Sequence, residues 1–265
     1  VPQKNLLIER QKGICTLILN RPEKKNSLSL ELIDLLADTL KKLAGEDDLR
    51  VVILRGAGDE AFCSGFDIGS LPTQSPKNDD QRLKSLAEVE RLLQRLVYFP
   101  YPVLAMLNGA AFGLGCELAM CCDIRIGAED IRMGMPPAKL GMVYPWSGLQ
   151  RFIRRVGLQS TKEMFFTGRT FSGARIRTLG LVDYLVPRAE LEKSTTKMAL
   201  EIAENAPLAL KGIKSVINLL VHTNPLDRKS SEEAETIFKA ALSSKDMQEG
   251  QAAFLEKRKP HFKGK

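Results

Sequence analysis

Apolar and polar positions alternate with period two from Gly13 to Asn20, the pattern of a half-buried strand. The polar turn Arg21-Pro22-Glu23-Lys24-Lys25-Asn26-Ser27 follows. The period then lengthens. Leu32, Ile33, Leu36, Leu40 and Leu43 keep helical spacing behind Ser29, whose hydroxyl can cap the first turn. Val51 to Leu54 reads as a short buried strand ended by Gly56-Ala57-Gly58, and Leu83 to Val97 as an amphipathic helix. Val103 to Leu107 and Ile124 to Ile126 are further buried strands. The most polar stretch, Pro72 to Gln81, is the candidate for a flap. Beyond residue 195 the strand pattern stops, and Met198 to Asn205, Leu208 to Val221 and Ser231 to Lys257 read as consecutive helices.

This strand–helix–strand rhythm predicts an α/β fold with its sheets buried between helices. It divides the chain into a core over 1–195 and a helical module over 196–265. At 265 residues and 44% hydrophobic, the chain can bury a sizeable core without disulfides. Five cysteines without C-x-x-C spacing read as reduced, buried thiols rather than as a disulfide framework or a zinc site. No apolar run is long enough to span a bilayer. Val1-Pro2-Gln3-Lys4 does not read as a signal peptide, so the expected compartment is the cytoplasm, or an organelle matrix if a targeting segment has been removed. The net charge of +7 does not single out nucleic acid, because the basic residues are scattered except at Lys257-Arg258-Lys259. A small polyanionic ligand accounts for it equally well.

The chemistry concentrates in Gly109-Ala-Ala-Phe-Gly-Leu-Gly-Cys-Glu117-Leu-Ala-Met-Cys-Cys-Asp123. Small residues here hand a strand over to a tightly packed helix with Glu117 on its first turn. Free N–H groups at a helix start can hold a developing oxyanion. A carboxylate one turn away can move a proton at the adjacent carbon. The plainer reading is a packing helix with a solvated glutamate. G-x-x-x-x-G-K-[ST] is absent and G-x-G-x-x-G fails after Gly115, so this is not a nucleotide-phosphate loop. A Ser–His–Asp hydrolase would need a nucleophile elbow, which is also missing.

Five segments, in order, resemble the crotonase (enoyl-CoA hydratase/isomerase) superfamily. They are Leu19-Asn20-Arg21-Pro22 with Asn26-Ser27-Leu28, Phe62 to Ile68, Asn108 to Asp123, Phe166-Thr167-Gly168 with Gly180-Leu181-Val182, and Asp246 to Arg258. The resemblance implies a spiral of ββα turns with a C-terminal helical trimerisation region, assembled as a homotrimer or homohexamer. It implies an acyl-CoA substrate and no cofactor beyond its CoA moiety, with neither nucleic acid nor membrane as partner. The backbone N–H groups of Phe66 and Leu114 would form the oxyanion hole for a thioester enolate, with Glu117 as acid/base. Phe66, Asp67, Ile68 and Gly69 map to the CoA-contacting segment, Phe254 and Lys257 to tail residues that reach a neighbouring subunit's CoA, and Lys24 and Lys25 to the phosphate side.

Two departures bear on the reaction. Family hydratases hold water between two glutamates. The second position carries the base of one isomerase class as well, and here it is Pro137, which can neither transfer a proton nor donate one from its backbone. The following loop, Lys139 to Trp146, resembles that of methylmalonyl-CoA decarboxylases in placing a tyrosine at Tyr144, although Phe66 stands where those enzymes have histidine. The expected function is hydration or double-bond shift of an enoyl-CoA with Glu117 as sole carboxylate. A malonyl-type decarboxylase using Tyr144 and a non-catalytic acyl-CoA binder remain as alternatives. Tyr144 is an auxiliary acid in the first two readings, or with Trp146 an acyl-pocket wall.

Overall fold

The computed structural model describes residues 5–67, 79–140, 142–222, 236, 244–246, 249, 253, 256 and 258–265. The strands fall into two sheets, which the chain visits alternately over residues 51–134. In the six-stranded sheet the order is β1 (Leu6–Gln11), β2 (Ile14–Leu19), β3 (Val51–Gly56), β5 (Val103–Leu107), β7 (Ile124–Ala128) and β10 (Tyr184–Val186). The four-stranded sheet runs β4 (Ala61–Cys63), β6 (Ala110–Phe112), β8 (Arg132–Gly134), β9 (Phe171–Ser172). Among the described residues only β1–β2 and β8–β9 pair antiparallel.

From β3 through the α-helix after β8, each turn of the chain therefore lays one strand in each sheet and closes with a helix. The pair β3–β4 leads to α2 (Asp79–Val97), β5–β6 to α3 (Leu114–Cys121), and β7–β8 to α4 (Trp146–Thr167). This is the expected ββα spiral. Parallel neighbours need such crossovers, and burial on both faces explains why β3 and β5 are almost uninterruptedly apolar.

The helix α1 (Leu30–Leu43) follows β2, capped by the Ser29 hydroxyl, which accepts from Leu32 N–H at 3.3 Å. Its apolar stripe is buried as the spacing predicts. The β1 strand was not legible because only Leu6 of its six residues is buried. A short strand, β6, also intervenes between β5 and α3. The α5 helix (Ala174–Thr178) leads to β10, and α6 (Leu191–Ala203) packs on β3, β5 and β7.

The predicted boundary at 195 falls inside α6, where Thr195 is fully buried. After it, α7 (Pro207–His222) is tied to the core by buried Lys214. Its Nζ donates to Asp123 Oδ2 at 2.6 Å and to the Tyr101 carbonyl at 3.0 Å. The predicted helix from Ser231 to Lys257 lies largely outside the described residues, as does the predicted flap, of which residues 79–81 belong to α2. Among the described residues no helix is long and apolar enough to cross a membrane. All five cysteines are buried and free, with Cys63, Cys116 and Cys122 pushed up to about 12 by desolvation.

Candidate active site

Glu117 is 3% exposed and sits one turn into α3, a helix that contacts both α2 and α4. Both its oxygens are occupied. Tyr144 donates its hydroxyl to Oε2 at 2.5 Å, and Arg151 Nη1 donates to Oε1 at 2.7 Å. The other guanidinium arm, Nη2, is bonded to Glu90 of α2, whose second oxygen accepts from the Ser147 hydroxyl at 2.9 Å. Burial pushes the Glu117 carboxyl above its ordinary range, against the Tyr144 hydrogen bond and the Arg151 charge, and the Glu90 charge adds to the rise. Glu90 is also raised by burial, but Arg151, Ser147 and Gln94 outweigh that and hold it below the usual carboxylate range. Burial and the Glu117 charge push the Tyr144 phenol well up, so it stays a neutral donor.

Glycine makes this approach feasible. Gly148, in the first turn of α4, has no room for a side chain. A methyl there would lie 2.5 Å from the Tyr144 ring and 2.8 Å from Glu117 Oε1.

The Phe66 loop packs against the start of α3, where Leu114 stands. Leu28 N–H donates to the Gly65 carbonyl and Asp67 N–H to the Leu28 carbonyl, an isolated parallel bridge that leaves the Phe66 N–H on the opposite side. Gly65, at φ +108°, packs so closely on the α3 start that a Cβ would sit 2.9 Å from the Phe112 carbonyl oxygen and 3.5 Å from the Leu114 nitrogen. Leu114 N–H is in the first turn, beyond intrahelical partners, while the Leu114 side chain is buried in the core. Arg21 secures the Phe66 loop by donating to Asp67 Oδ2 and to the Ser27 carbonyl, both at 2.8 Å.

Among the other sequence-predicted residues, Asp67 is thus engaged by Arg21. Lys24 and Lys25 are placed beside the Phe66 loop, since Ser64 N–H donates to the Lys25 carbonyl at 3.0 Å. The Lys25 ammonium is exposed and pairs with Glu60 at 2.7 Å. Ile68, Gly69, Phe254 and Lys257 lie outside the described residues. Trp146 is 76% exposed, whereas the Tyr144 ring packs on Phe165 at 5.4 Å. Sequence reasoning found no arginine placed for this site and missed Arg151 and Glu90. Gly148 and Arg151 share a face of α4, but nothing local in the sequence sets Arg151 apart from Arg154 and Arg155.

A family model described as enoyl-CoA hydratase/isomerase matches residues 9–265. The chain belongs to this family. It is 32% identical over 259 residues to the crotonyl-CoA hydratase of Syntrophomonas wolfei, covering 98% of each chain. It is 33% identical over 254 residues to the methylmalonyl-CoA decarboxylase of Escherichia coli, covering 95% of each. Its structure is similar to that of the enoyl-CoA hydratase from Bacillus anthracis. The TM-score is 0.92 at 32% identity, over 99% of this chain and 100% of that one. In this member of the enoyl-CoA hydratase/isomerase family Pro137 opens a short 3-10 turn, Pro137–Leu140. Tyr144, seven residues on, reaches Glu117 from the loop that follows, beside Arg151 of α4.

Proposed function

We propose that the chain acts on an acyl-CoA thioester, with the Phe66 and Leu114 amides holding the thioester oxygen and Glu117 moving protons at the carbons beside it. The reaction favoured is hydration or double-bond shift of an enoyl-CoA. In a double-bond shift, Glu117 takes a proton from one carbon, the electron pair moves onto the thioester oxygen, and the proton returns to a second carbon. In hydration, Glu117 takes a proton from water as its oxygen bonds to the β carbon. The enolate then collapses as a proton returns to the α carbon. Each amide of such a hole contributes about 3–4 kcal/mol to lowering the barrier. The observation that carries this reading is the buried Glu117 carboxylate bonded by Tyr144 and Arg151 on the helix whose first amide is free to face a ligand.

Lys24 and Lys25 suit the phosphate side of the CoA, the only cofactor moiety the reaction needs. Residues 196–265 serve oligomerisation as trimer or hexamer, which the exposed Ile213, Ile217 and Leu220 on α7 support.

A second reading is decarboxylation of a malonyl-type acyl-CoA. The C–C bond to the carboxylate breaks, carbon dioxide leaves, and the enolate is protonated from the Tyr144–Glu117 pair. The Tyr144 hydroxyl on Glu117 favours it. One mixture separates the two. With crotonyl-CoA and methylmalonyl-CoA supplied together, mass spectrometry reads water gain on the first or carbon dioxide loss from the second. If neither changes, and Glu117→Gln binds an acyl-CoA thioether as the parent does, the chain is a binder and both reactions fail.

A further inference from the structure

The guanidinium of Arg151 is divided between two carboxylates from different helices, and only one of them lies beside the oxyanion amides. Its side chain is 12% exposed, that of Glu117 4% and that of Glu90 32%. We infer that Arg151 and Glu90 are an opposed pair of positioning residues: Arg151 fixes the Glu117 carboxylate and favours its charged form, while Glu90 draws part of that guanidinium away. This deepens the proposed function and rests on its assignment of Glu117 as proton carrier.

The geometry assigns each partner a direction. Nη1 donates to Glu117 Oε1 at 2.7 Å, so removing the cation leaves a nearly dry carboxylate with only the Tyr144 hydroxyl. Glu90 is locked to the other arm by two further donors, Ser147 at 2.9 Å and Gln94 Nε2 at 3.0 Å, so it stays in place as a counter-charge. Neutralising Glu90 while keeping its shape leaves the whole guanidinium charge to Glu117 and removes a like charge.

Other titratable groups that act on Glu117 among the described residues do not compete in the working pH range. Tyr144 and, on α3 itself, Cys116 and Cys121 all hold their protons more tightly than usual through burial. The pair thus balances a buried base between two failures. Without the cation it would be protonated and unable to accept; with an unopposed cation it would be too weak a base.

The test titrates full-length protein carrying 13C-labelled glutamate carboxyls by NMR, the Glu117 resonance being identified by its loss in Glu117→Gln. Arg151→Gln is expected to move the Glu117 midpoint up by about one to three pH units, the usual reach of a contacting opposite charge. Arg151→Lys falls between Arg151→Gln and the parent, and carries this arm alone if the glutamine variant does not fold. Glu90→Gln is expected to move the midpoint down. Opposite displacements support the pair, because a merely structural role disturbs both variants in the same sense. A common direction, or a midpoint unmoved by Glu90→Gln, overturns it. The titration needs no substrate, so failure to turn over any enoyl-CoA counts against the proposed reaction alone.

Discussion

The Tyr144 hydroxyl and Glu117 Oε2 meet at 2.5 Å, joining the α3 helix to a loop 27 residues further along the chain. The contact supplies the buried carboxylate with a neutral donor. Tyr144→Phe deletes it and drives Glu117 further above its ordinary range. The acid limb of the rate profile moves to higher pH, and kcat falls about 10- to 100-fold, the worth of one hydrogen bond to a charged group. KM for the acyl-CoA changes little. Steady-state kinetics across pH measures all three.

Glu117→Gln removes the proton carrier and keeps the shape. Turnover is expected to fall about 100- to 10,000-fold, while calorimetric affinity for an unreactive acyl-CoA thioether is preserved. Undiminished turnover would remove Glu117 from the chemistry.

The same variant carries a pH signature in stability. A carboxyl whose folded-state pKa exceeds its unfolded value favours folding in full below the unfolded value, and loses that contribution as pH rises through the folded one. Glu117 is such a carboxyl. The difference in Tm, Glu117→Gln minus parent, is therefore expected to grow more positive from about pH 4 to about pH 8. Calorimetric scans at several pH values test it, and a flat or falling difference contradicts the direction assigned to Glu117.

Gly148→Ala pushes a methyl into the Tyr144 ring and Glu117. Overpacking of this kind costs about 1–3 kcal/mol. Here activity is expected to fall more than the thermal midpoint suggests, because the displaced atoms are those of the site. Paired measurement of Tm and kcat distinguishes this from general destabilisation.

Arg21→Ala removes the hydrogen bonds to Asp67 and to the Ser27 carbonyl together. The Phe66 loop loses its charged tether beside the Leu28 bridge, and kcat/KM is expected to fall about tenfold, the worth of one hydrogen bond to a charged group, with Glu117 unaltered. Arg21→Lys restores little, since a single ammonium does not reproduce the fork.

Much of this architecture could be read from the chain because burial leaves a trace. The α1 stripe shows it with helical period, while β3 and β5 show burial as nearly unbroken apolar runs and Gly109–Asp123 as a run rich in small residues. What escaped did so for identifiable reasons. With one buried residue in six, β1 offers no alternation, and β9 is two residues long. Glu90 lies in a helix crowded with charged side chains, where nothing local separates a solvated glutamate from one turned toward α4. Arg151 lies among Arg154 and Arg155, equally undistinguished in sequence. Tyr144 was legible as a candidate through resemblance, but its partner was not, since the hydrogen bond depends on how α4 meets α3. The departure at Pro137 was visible from sequence; the arrival of Tyr144 at Glu117 required the fold.

Lys214 gives the chain a minimum length. Asp123 directly follows the last turn of α3 and its Oδ2 serves both the Val103 amide and the Lys214 ammonium. A truncation ending at residue 206 would strip that cation, leave the Tyr101 carbonyl without its donor, and unseat the far end of the helix whose near end holds Glu117. The α7 helix is therefore no detachable appendage, even though every residue proposed for proton transfer lies upstream of it.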